Sequence, residues 1–219
     1  PTSIVVAMAA NAIGAVWSSC SPDFGVNGIL DRFSQTEPKV LVVCDGYFYT
    51  GKTFDTRDKF AEVLAALPSV EASFMLGFAD EDADTGPLTG TKRLDTALAR
   101  HGAATTPTFK QMNFNAPMVI MFSSGTTGKP KCIEHGQGGV LLKQLTEHLL
   151  HNNTRPDDRT FFFTTCGWMM WNWLITGLQT GATVMLYDGS PFAPDPLVLW
   201  RLAEEHGIAR TGRGAPDGG

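Results

Sequence analysis

Strand-like apolar runs alternate with helical patterns along the sequence, and this alternation restricts the fold more than any other feature. The β-branched run Val40–Val43 follows a segment, Gly25–Gln35, in which apolar residues recur at helical spacing. In the second half, the strand-like runs Thr160–Thr164 and Ala182–Tyr187 flank a largely apolar helical stretch, Met169–Leu178. Alternation of this kind predicts an α/β fold, in which helices cover a parallel or mixed sheet.

Both ends of the sequence differ from the middle. The chain begins at Pro1 without an initiator Met, on the apolar run Ile4–Ala10, which predicts a core helix. The last residues, Thr211–Gly219, are rich in glycine, and we expect them to form an unstructured tail outside the fold. We therefore expect a piece of a larger protein, with one β-α block over residues 1–114 and a second over residues 115–210.

The charge and cysteine content exclude several classes of function. The 17 basic and 22 acidic residues give a formal net charge of −5, and the basic ones are scattered, which argues against a nucleic-acid partner. The N-terminal apolar run lacks a cationic region before it and is interrupted by Asn11 and Gly14, which argues against a signal peptide or a membrane span. The cysteines have no zinc-ligand spacing and predict reduced thiols in a cytoplasmic protein; they are Cys20, Cys44, Cys132 and Cys166.

The strand-like run Pro117–Phe122 leads directly into a polar turn rich in glycine, hydroxyl groups and lysine. Glycines let several backbone N–H groups converge on one anion, hydroxyl groups add donors, and lysines supply the positive charge that binding of a polyphosphate requires. The alternative is a flexible hairpin loop without a ligand. The candidate nucleotide-binding residues are Ser123, Ser124, Gly125, Thr126, Thr127, Gly128, Lys129 and Lys131.

This turn differs from the P-loop of nucleoside triphosphatases, which reads G-x-x-x-x-G-K-[ST]. Gly125 and Gly128 are separated by two residues rather than four, and Pro130 stands where the magnesium-binding hydroxyl residue would be. The following residues, Cys132–His135, are typical of an extended segment rather than of the helix that follows a P-loop. We therefore expect a phosphate-binding turn of a different kind.

The sequence from Ser123 to Lys131 resembles the phosphate-binding signature of the acyl-adenylate-forming enzymes, hydroxyl-hydroxyl-Gly-Thr-Thr/Ser-Gly-x-Pro-Lys, at every position. Three further stretches, Gly14–Gly25, Cys44–Lys52 and Gly167–Trp173, resemble the branch of this superfamily that acts on acetoacetate. The resemblance extends from residue 1 to about Arg210. It implies the layered α/β/α N-terminal domain of these enzymes.

The resemblance also implies a two-step reaction that uses ATP, Mg²⁺ and CoA with small-molecule substrates. A carboxylate, here acetoacetate, reacts with ATP to give an acyl-adenylate and pyrophosphate, and the CoA thiol then displaces AMP. The family signature points to Thr126, Thr127 and Gly128 as closest to the phosphates and to Lys131 as the more important lysine. The alternatives are a ligase for acetate or propionate and a nucleotide-binding module without catalytic activity.

A second candidate site follows from the same resemblance. It implies that Gly167 and Trp168 belong to the segment after the strand that lines the acyl pocket. The aromatic and thioether side chains of this segment suit the wall of a small acyl pocket, with Asn172 available to bond a keto oxygen; the residues are Trp168, Met169, Met170, Trp171 and Asn172. The alternative is plain core, since Met and Trp at helical spacing usually pack inside. The family's segments for adenine, for ribose and for the catalytic lysine are not found, so no catalytic residue is assigned and we expect the chain alone to be inactive.

Several isolated side chains have a structural explanation beside a functional one. Asp23 and Asp45 follow strand-like segments, where they serve either as site carboxylates or as turn caps. Cys132 is interpreted as a small buried side chain rather than a reactive thiol. His148 and His151 lie one helical turn apart, but without a third ligand nearby we expect a solvated helix end and no metal.

Overall fold

The computed structural model describes residues 1–102, 106–123 and 128–213 of the chain. The α-helices are α1 (Thr2–Ala12), α2 (Val26–Thr36), α3 (Arg57–Ala65), α4 (Leu94–Ala99), α5 (Gln137–Thr146), α6 (Met169–Thr176) and α7 (Val198–Glu205). The strands are β1 (Trp17–Ser18), β2 (Val40–Cys44), β3 (Gly46–Tyr49), β4 (Lys52–Asp55), β5 (Ala72–Leu76), β6 (Lys92–Arg93), β7 (Pro117–Ser123), β8 (Lys131–Gly136), β9 (Arg159–Phe163), β10 (Thr183–Met185) and β11 (Arg210–Arg213). A π-helix (Glu147–His151) extends α5, and a 3-10 helix (Gly177–Thr180) extends α6. The predicted α/β class is confirmed.

The contacts divide the chain into two compact units, each made of separate stretches. The first unit comprises Pro1–Ser19, Thr108–Met121 and Ile133–Gly219, and the second comprises Cys20–Pro107 and Phe122–Cys132. This division differs from the expected consecutive blocks 1–114 and 115–210. The reason is that the segment around the glycine-rich turn packs with residues from the first half of the chain.

The second unit is built on a parallel sheet with the order β2-β5-β6, in which Val40 pairs with Ala72. Ile29 and Phe33 lie one helical turn apart on the buried face of α2, and burial of such side chains contributes about 1.5–3 kcal/mol each. They join the strands and α3 in one hydrophobic core. Its buried members are Ile29, Phe33, Leu41, Val43, Phe60, Val63, Leu67, Met75, Ala83 and Leu88.

An antiparallel hairpin, β3–β4, follows β2 and was not anticipated from the sequence. Its turn residues Thr50 and Gly51 both have positive φ angles, of 48° and 76°, as a type I′ hairpin turn requires. The rings of Tyr47 and Phe54 stack across the pair with their centroids 5.1 Å apart. The exposed pattern of these strands gives little hydrophobic periodicity, which explains why the sequence did not reveal them.

Asp45, directly after β2, is a buried anchor rather than a site carboxylate. Its side chain, 5% exposed, accepts hydrogen bonds from the backbone N–H groups of Phe78 (2.6 Å), Ala79 (3.0 Å) and Asp80 (2.8 Å). These bonds fix the turn that follows β5, so the turn-capping interpretation applies to Asp45. Asp23, by contrast, lies exposed on the surface.

The first unit contains a parallel sheet with the order β10-β9-β11 and most of a sheet with the order β1-β7-β8. β1 runs parallel to β7, with Trp17 opposite Val119 and Ser18 opposite Ile120. α1 forms where the apolar run predicted a helix, but Ala7 is its only buried residue, and Val5 and Met8 are 63% and 57% exposed. The expectation of a core helix is therefore wrong. Within the described ranges, no helix combines the length and apolar character needed to cross a bilayer.

The end of the described chain departs from the expected tail at 211–219. Arg210–Arg213 form β11, which pairs in parallel with β9 from Arg210 opposite Thr160 to Arg213 opposite Phe163. Gly212 packs so closely on the Phe162 ring that a Cβ atom there would lie 2.7 Å from the ring carbon Cε2. A glycine that looked like a sign of disorder thus permits a close approach to an aromatic ring. Residues 214–219 lie outside the described residues.

Candidate functional site

The glycine-rich turn is entered from β7. Val119, in the middle of that strand, is 5% exposed, and Phe122 near its end packs against the hydrophobic core of the second unit. Ser123 is the last residue of β7 and the first candidate nucleotide-binding residue. A buried strand that ends in a polar turn is a rigid support from which backbone N–H groups can be directed at an anion.

On the far side of the turn, Gly128 has a φ of 104°, with open space where a Cβ would stand. This backbone conformation is strained for other residues, so the second glycine of the signature is required by geometry. Pro130 follows, and the chain then enters β8 at Lys131. The predicted residues Ser124, Gly125, Thr126 and Thr127 lie outside the described residues.

The two lysines of the signature have different surroundings. The Lys129 ammonium lies 3.3 Å from Asp31 Oδ1, and its side chain is 69% exposed. Lys131 is exposed at the start of β8 and forms no ion pair with any residue that the structure describes. An unpaired cation keeps its full charge for an incoming anion, whereas Lys129 must share its charge with a carboxylate.

The backbone after the turn distinguishes this loop from a P-loop. β8 runs from Lys131 to Gly136, so the extended segment predicted from Cys132–His135 is confirmed. α5 begins only at Gln137, and its N-terminal dipole is separated from the turn by the length of β8. The N-terminus of α5 is therefore not placed at the turn as the helix of a P-loop would be.

The second candidate segment begins just before α6 in the first unit. Trp168 and Met169 are 48% and 50% exposed, whereas Trp171 is 6% exposed and stacks on Trp17 with the ring centroids 6.1 Å apart. Asn172 Nδ2 donates to the carbonyl oxygen of Trp168 at 3.3 Å. Met170 is half-buried. The segment thus divides into a core residue, Trp171, and an apolar surface on which a small ligand can pack.

Buried polar atoms without partners lie in the segments that border this surface. They are Trp17 Nε1, Ser18 Oγ and Thr165 Oγ1, each without a hydrogen bond to any described residue. Ser19 Oγ donates to the carbonyl oxygen of Cys166 at 2.6 Å and so joins the end of β1 to the residues before α6. Unsatisfied buried polar atoms are costly and often mark the place of a ligand or water. Sequence reasoning did not single out Thr165 or Trp17, because their positions depend on pairing between distant strands.

The solvated helix end expected for the two histidines applies to His151 but not to His148. His148 is 1% exposed, with Nε2 2.9 Å from the carbonyl oxygen of Trp173 and its ring 4.6 Å from the Trp173 ring. Burial lowers the pKa of His148 below its usual value, which favours a neutral ring. His151 is exposed and lies 3.0 Å from Glu147 Oε2. The interpretation is wrong for His148 because the π-helix turns this residue towards α6.

Cys132 also departs from the sequence interpretation. It is exposed on β8 rather than buried. Local desolvation raises the pKa of its thiol, so the thiol form is favoured over the reactive thiolate. In the part of the chain that the structure describes, no three His, Cys, Asp or Glu side chains come together as metal ligands.

The described residues of the turn suit the polyphosphate of a nucleotide. Gly128 leaves open space beside the backbone, and the exposed Lys131 has no ion-pair partner among the described residues. The carboxylate that is paired with a lysine of this turn, within the described ranges, is that of Asp31 at Lys129.

Comparison with known proteins places this geometry in context. A family model described as AMP-binding enzyme matches residues 1–211. An acetoacetyl-CoA synthetase of Mus musculus is 45% identical over 212 residues, which cover 95% of this chain and 32% of that protein. An acetoacetyl-coenzyme A synthetase of Rhizobium meliloti (strain 1021) is 46% identical over 216 residues, covering 98% of this chain and 33% of the relative.

A solved structure is similar to the same extent. The acetoacetyl-CoA synthetase from Streptomyces lividans superimposes with a TM-score of 0.90 and is 42% identical, and the match covers 98% of this chain and 32% of that chain. The chain therefore spans about a third of the length of the relatives it matches.

Proposed function

The chain belongs to the AMP-binding enzyme family, and we propose that the protein containing it is an AMP-forming acetoacetate–CoA ligase. The observation that carries the proposal is the similarity to acetoacetyl-CoA synthetases over nearly the whole chain, with identities of 45% and 46%. The strand–turn–strand geometry of β7 and β8, with the phosphate-binding signature between them, supports the same reaction. The reduced thiols of the cysteines fit the cytoplasm as the compartment.

In the proposed reaction, a carboxylate oxygen of acetoacetate attacks the α-phosphorus of ATP. The bond from that phosphorus to the bridging oxygen breaks, and pyrophosphate leaves with the electron pair. The thiolate of CoA then attacks the acyl carbon, and AMP leaves as the acyl–oxygen bond breaks. Because negative charge grows on the leaving pyrophosphate, donors placed at the β- and γ-phosphates stabilise the transition state of the first step.

We assign that stabilisation to the turn. Its residues Ser123, Gly128 and Lys131, together with Ser124–Thr127, are proposed to hold the β- and γ-phosphates, and Lys129 contributes with a charge that Asp31 partly neutralises. Mg²⁺ bound to the phosphates would neutralise further charge. No residue of this chain is assigned a proton-transfer role.

We propose that the acyl group packs on the surface formed by Trp168, Met169 and Met170. Trp168 and Met169 are half-exposed, and a short β-keto acid is small enough to be covered by such side chains. Trp171 supports this surface from the core through its stack on Trp17. Asn172 is the proposed partner of the keto oxygen, and its present bond to the Trp168 carbonyl oxygen holds its side chain at the start of α6.

The proposal is tested by ATP–pyrophosphate exchange with the full-length protein that contains this sequence. Labelled pyrophosphate should enter ATP in the presence of acetoacetate, and much less with acetate, propionate or butyrate at equal concentration. Formation of acetoacetyl-CoA should then require CoA and release AMP. Exchange that is fastest with acetate or propionate would overturn the assignment of the substrate, and no exchange with any of these acids would overturn the assignment as a ligase.

A further inference from the structure

We propose that helix α2 is the platform that positions the phosphate-binding turn, with Asp31 and Gln35 as positioning residues. This inference rests on the proposed function, since it concerns how that turn is held for a nucleotide. The described residues on both sides of the turn contact α2, although about 90 residues separate helix and turn in the sequence. All of these contacts lie within the second unit.

The residues that leave the turn are tied to α2 by polar contacts. Gln35 Nε2 donates one amide hydrogen to the carbonyl oxygen of Pro130 at 2.9 Å and the other to the carbonyl oxygen of Asp31. Asp31 Oδ1 lies 3.3 Å from the Lys129 ammonium. Asp31 and Gln35 are four residues apart, so they share one face of the helix. Lys129 and Pro130, which are consecutive in the phosphate-binding turn, are thereby held by two residues one helical turn apart in α2.

The strand that enters the turn is held by the same helix through different chemistry. Phe122 packs against the core to which α2 contributes Ile29 and Phe33. The Arg32 guanidinium carbon lies 5.7 Å from the centre of the Phe122 ring, and Arg32 Nη1 donates to the carbonyl oxygen of Gly28 at 2.7 Å. The helix thus contacts Phe122, directly before the turn, through apolar and cation–π packing, and Lys129 and Pro130, near the end of the turn, through charge and a hydrogen bond.

A turn that must bind a polyphosphate gains from such support. Backbone N–H groups bind an anion together only when they are held in one arrangement, and conformational freedom that remains in the turn lowers the affinity for the nucleotide and the rate of the step that follows. Gln35 is exposed and Asp31 is half-buried, and neither side chain belongs to the hydrophobic core of the unit. Their contacts with Lys129 and Pro130 therefore act on the position of the turn more than on the stability of the unit.

The test uses the nearly isosteric variants Gln35→Glu and Asp31→Asn in the full-length protein that contains this sequence. Gln35→Glu removes both amide donors without changing the length of the side chain but introduces a carboxylate, so Gln35→Met, which removes the donors without adding a charge, is measured beside it, and an effect is assigned to the lost hydrogen bonds only where both variants show it. Asp31→Asn removes the charge. Ser34→Ala is the matched control, because the Ser34 hydroxyl donates only within α2, to the carbonyl oxygen of Leu30. Urea unfolding of each variant checks that the fold is retained.

Amide hydrogen exchange without substrates is the first measurement. We expect the peptide that covers residues 128–136 to exchange about 2- to 10-fold faster in Gln35→Glu, because release of Pro130 loosens the start of β8, a strand that is hydrogen-bonded in its sheet. Exchange of this peptide in Ser34→Ala should equal that of the wild type. Unchanged exchange in Gln35→Glu, in a protein whose unfolding is also unchanged, would overturn the inference.

The second measurement separates positioning from a general structural role. The KM for MgATP should rise about 2- to 10-fold in Gln35→Glu, while the KM for acetoacetate stays the same. Asp31→Asn releases Lys129 from its ion pair and should change the KM for MgATP only through that lysine. Because Asp31 is proposed to act through Lys129, its effect on the KM for MgATP should disappear when Lys129 is already replaced by Met. Equal effects of Asp31→Asn in both backgrounds would contradict the inference. If the proposed function were wrong, the wild type would show no acetoacetate-dependent ATP–pyrophosphate exchange. The amide hydrogen-exchange result would still show whether α2 positions the turn.

Discussion

Replacement of Lys131 by alanine should weaken the binding of ATP strongly and the binding of AMP hardly at all. Lys131 is exposed at the first residue of β8 and has no ion-pair partner among the described residues, so its removal leaves no buried charge behind. Surface substitutions of this kind change stability by about 0.5 kcal/mol or less. The free energy of unfolding should therefore be nearly unchanged.

The loss in binding follows from the chemistry of the lost contact. A hydrogen bond between a charged donor and a phosphate contributes about 1.5–3 kcal/mol, which corresponds to about a 10- to 150-fold increase in the Kd for MgATP. Lys129→Ala should cost less, about 0.5–1 kcal/mol, because the Lys129 ammonium already lies 3.3 Å from Asp31. The sharper part of the prediction is that Lys131→Ala raises the Kd for MgATP more than Lys129→Ala does.

Equilibrium binding of MgATP and of AMP to the full-length protein, measured by calorimetry at fixed ionic strength, checks this reasoning. AMP lacks the β- and γ-phosphates and serves as the matched ligand, so its Kd should change less than about 2-fold in Lys131→Ala. Lys39→Ala is the matched protein control, since Lys39 is an exposed lysine of the same unit that is paired with Glu71. An equal loss of affinity for ATP and AMP, or a Kd for MgATP that stays within 2-fold of the wild type, would refute the placement of Lys131 at the terminal phosphates.

Two further predictions concern the buried polar groups. Asp45→Ala should lower the free energy of unfolding of the chain by about 3 kcal/mol or more, because three backbone N–H donors lose their acceptor. Asp82→Ala, at an exposed position, should change it by less than about 0.5 kcal/mol. Urea unfolding at pH 7 distinguishes the two variants. Burial lowers the pKa of His148 in the folded state. As the pH falls below about 6.5, the unfolded chain therefore binds the proton before the folded chain does. The free energy of unfolding should then decrease by up to about 1.4 kcal/mol per pH unit until the folded form is protonated as well. The His148→Gln variant should lose this part of the pH dependence of stability between pH 7 and 5, whereas His151→Gln, at an exposed position, should retain it. The same dependence of stability on pH in the wild type and in both variants would contradict the assignment to His148.

The periodicity of apolar residues predicted those helices and strands that bury one face of their own segment. Gly25–Gln35 predicted α2 (Val26–Thr36), and Pro117–Phe122 predicted β7 (Pro117–Ser123), each within one residue at either end. Both elements place apolar residues in a core, and this leaves a regular trace in the sequence. The hairpin β3–β4 and strand β11 show no such periodicity. The hairpin is formed by pairing between two largely exposed strands, and β11 is formed by pairing with β9, which is distant in sequence.

The candidate phosphate site was predictable from composition and resemblance, but its support was not. The bond from Gln35 to the Pro130 carbonyl oxygen joins residues 95 positions apart, and neither residue type signals the other. Likewise, Asp31 could have been an ordinary exposed helix residue, and only its distance of 3.3 Å from Lys129 gives it a role. Polar contacts between exposed side chains have no periodic pattern, so these positioning residues become visible only in three dimensions.

The segment from Trp168 to Asn172 shows why the choice between core and pocket had no single answer. Helical spacing would place Trp168, Trp171 and Leu174 on one buried stripe, since they lie three residues apart. Trp171 and Leu174 are indeed buried, at 6% and 2% exposure, but Trp168 precedes α6 with an extended backbone, at φ −111° and ψ 153°. It therefore leaves the stripe and lies beside Met169 on the exposed surface. Trp171 and Leu174, on the buried face of α6, belong to the core, whereas Trp168 and Met169, where the helix begins, form the exposed surface proposed to bind the acyl group. The place of each residue relative to the start and the buried face of α6, rather than the identity of its side chain, therefore decides between the two roles.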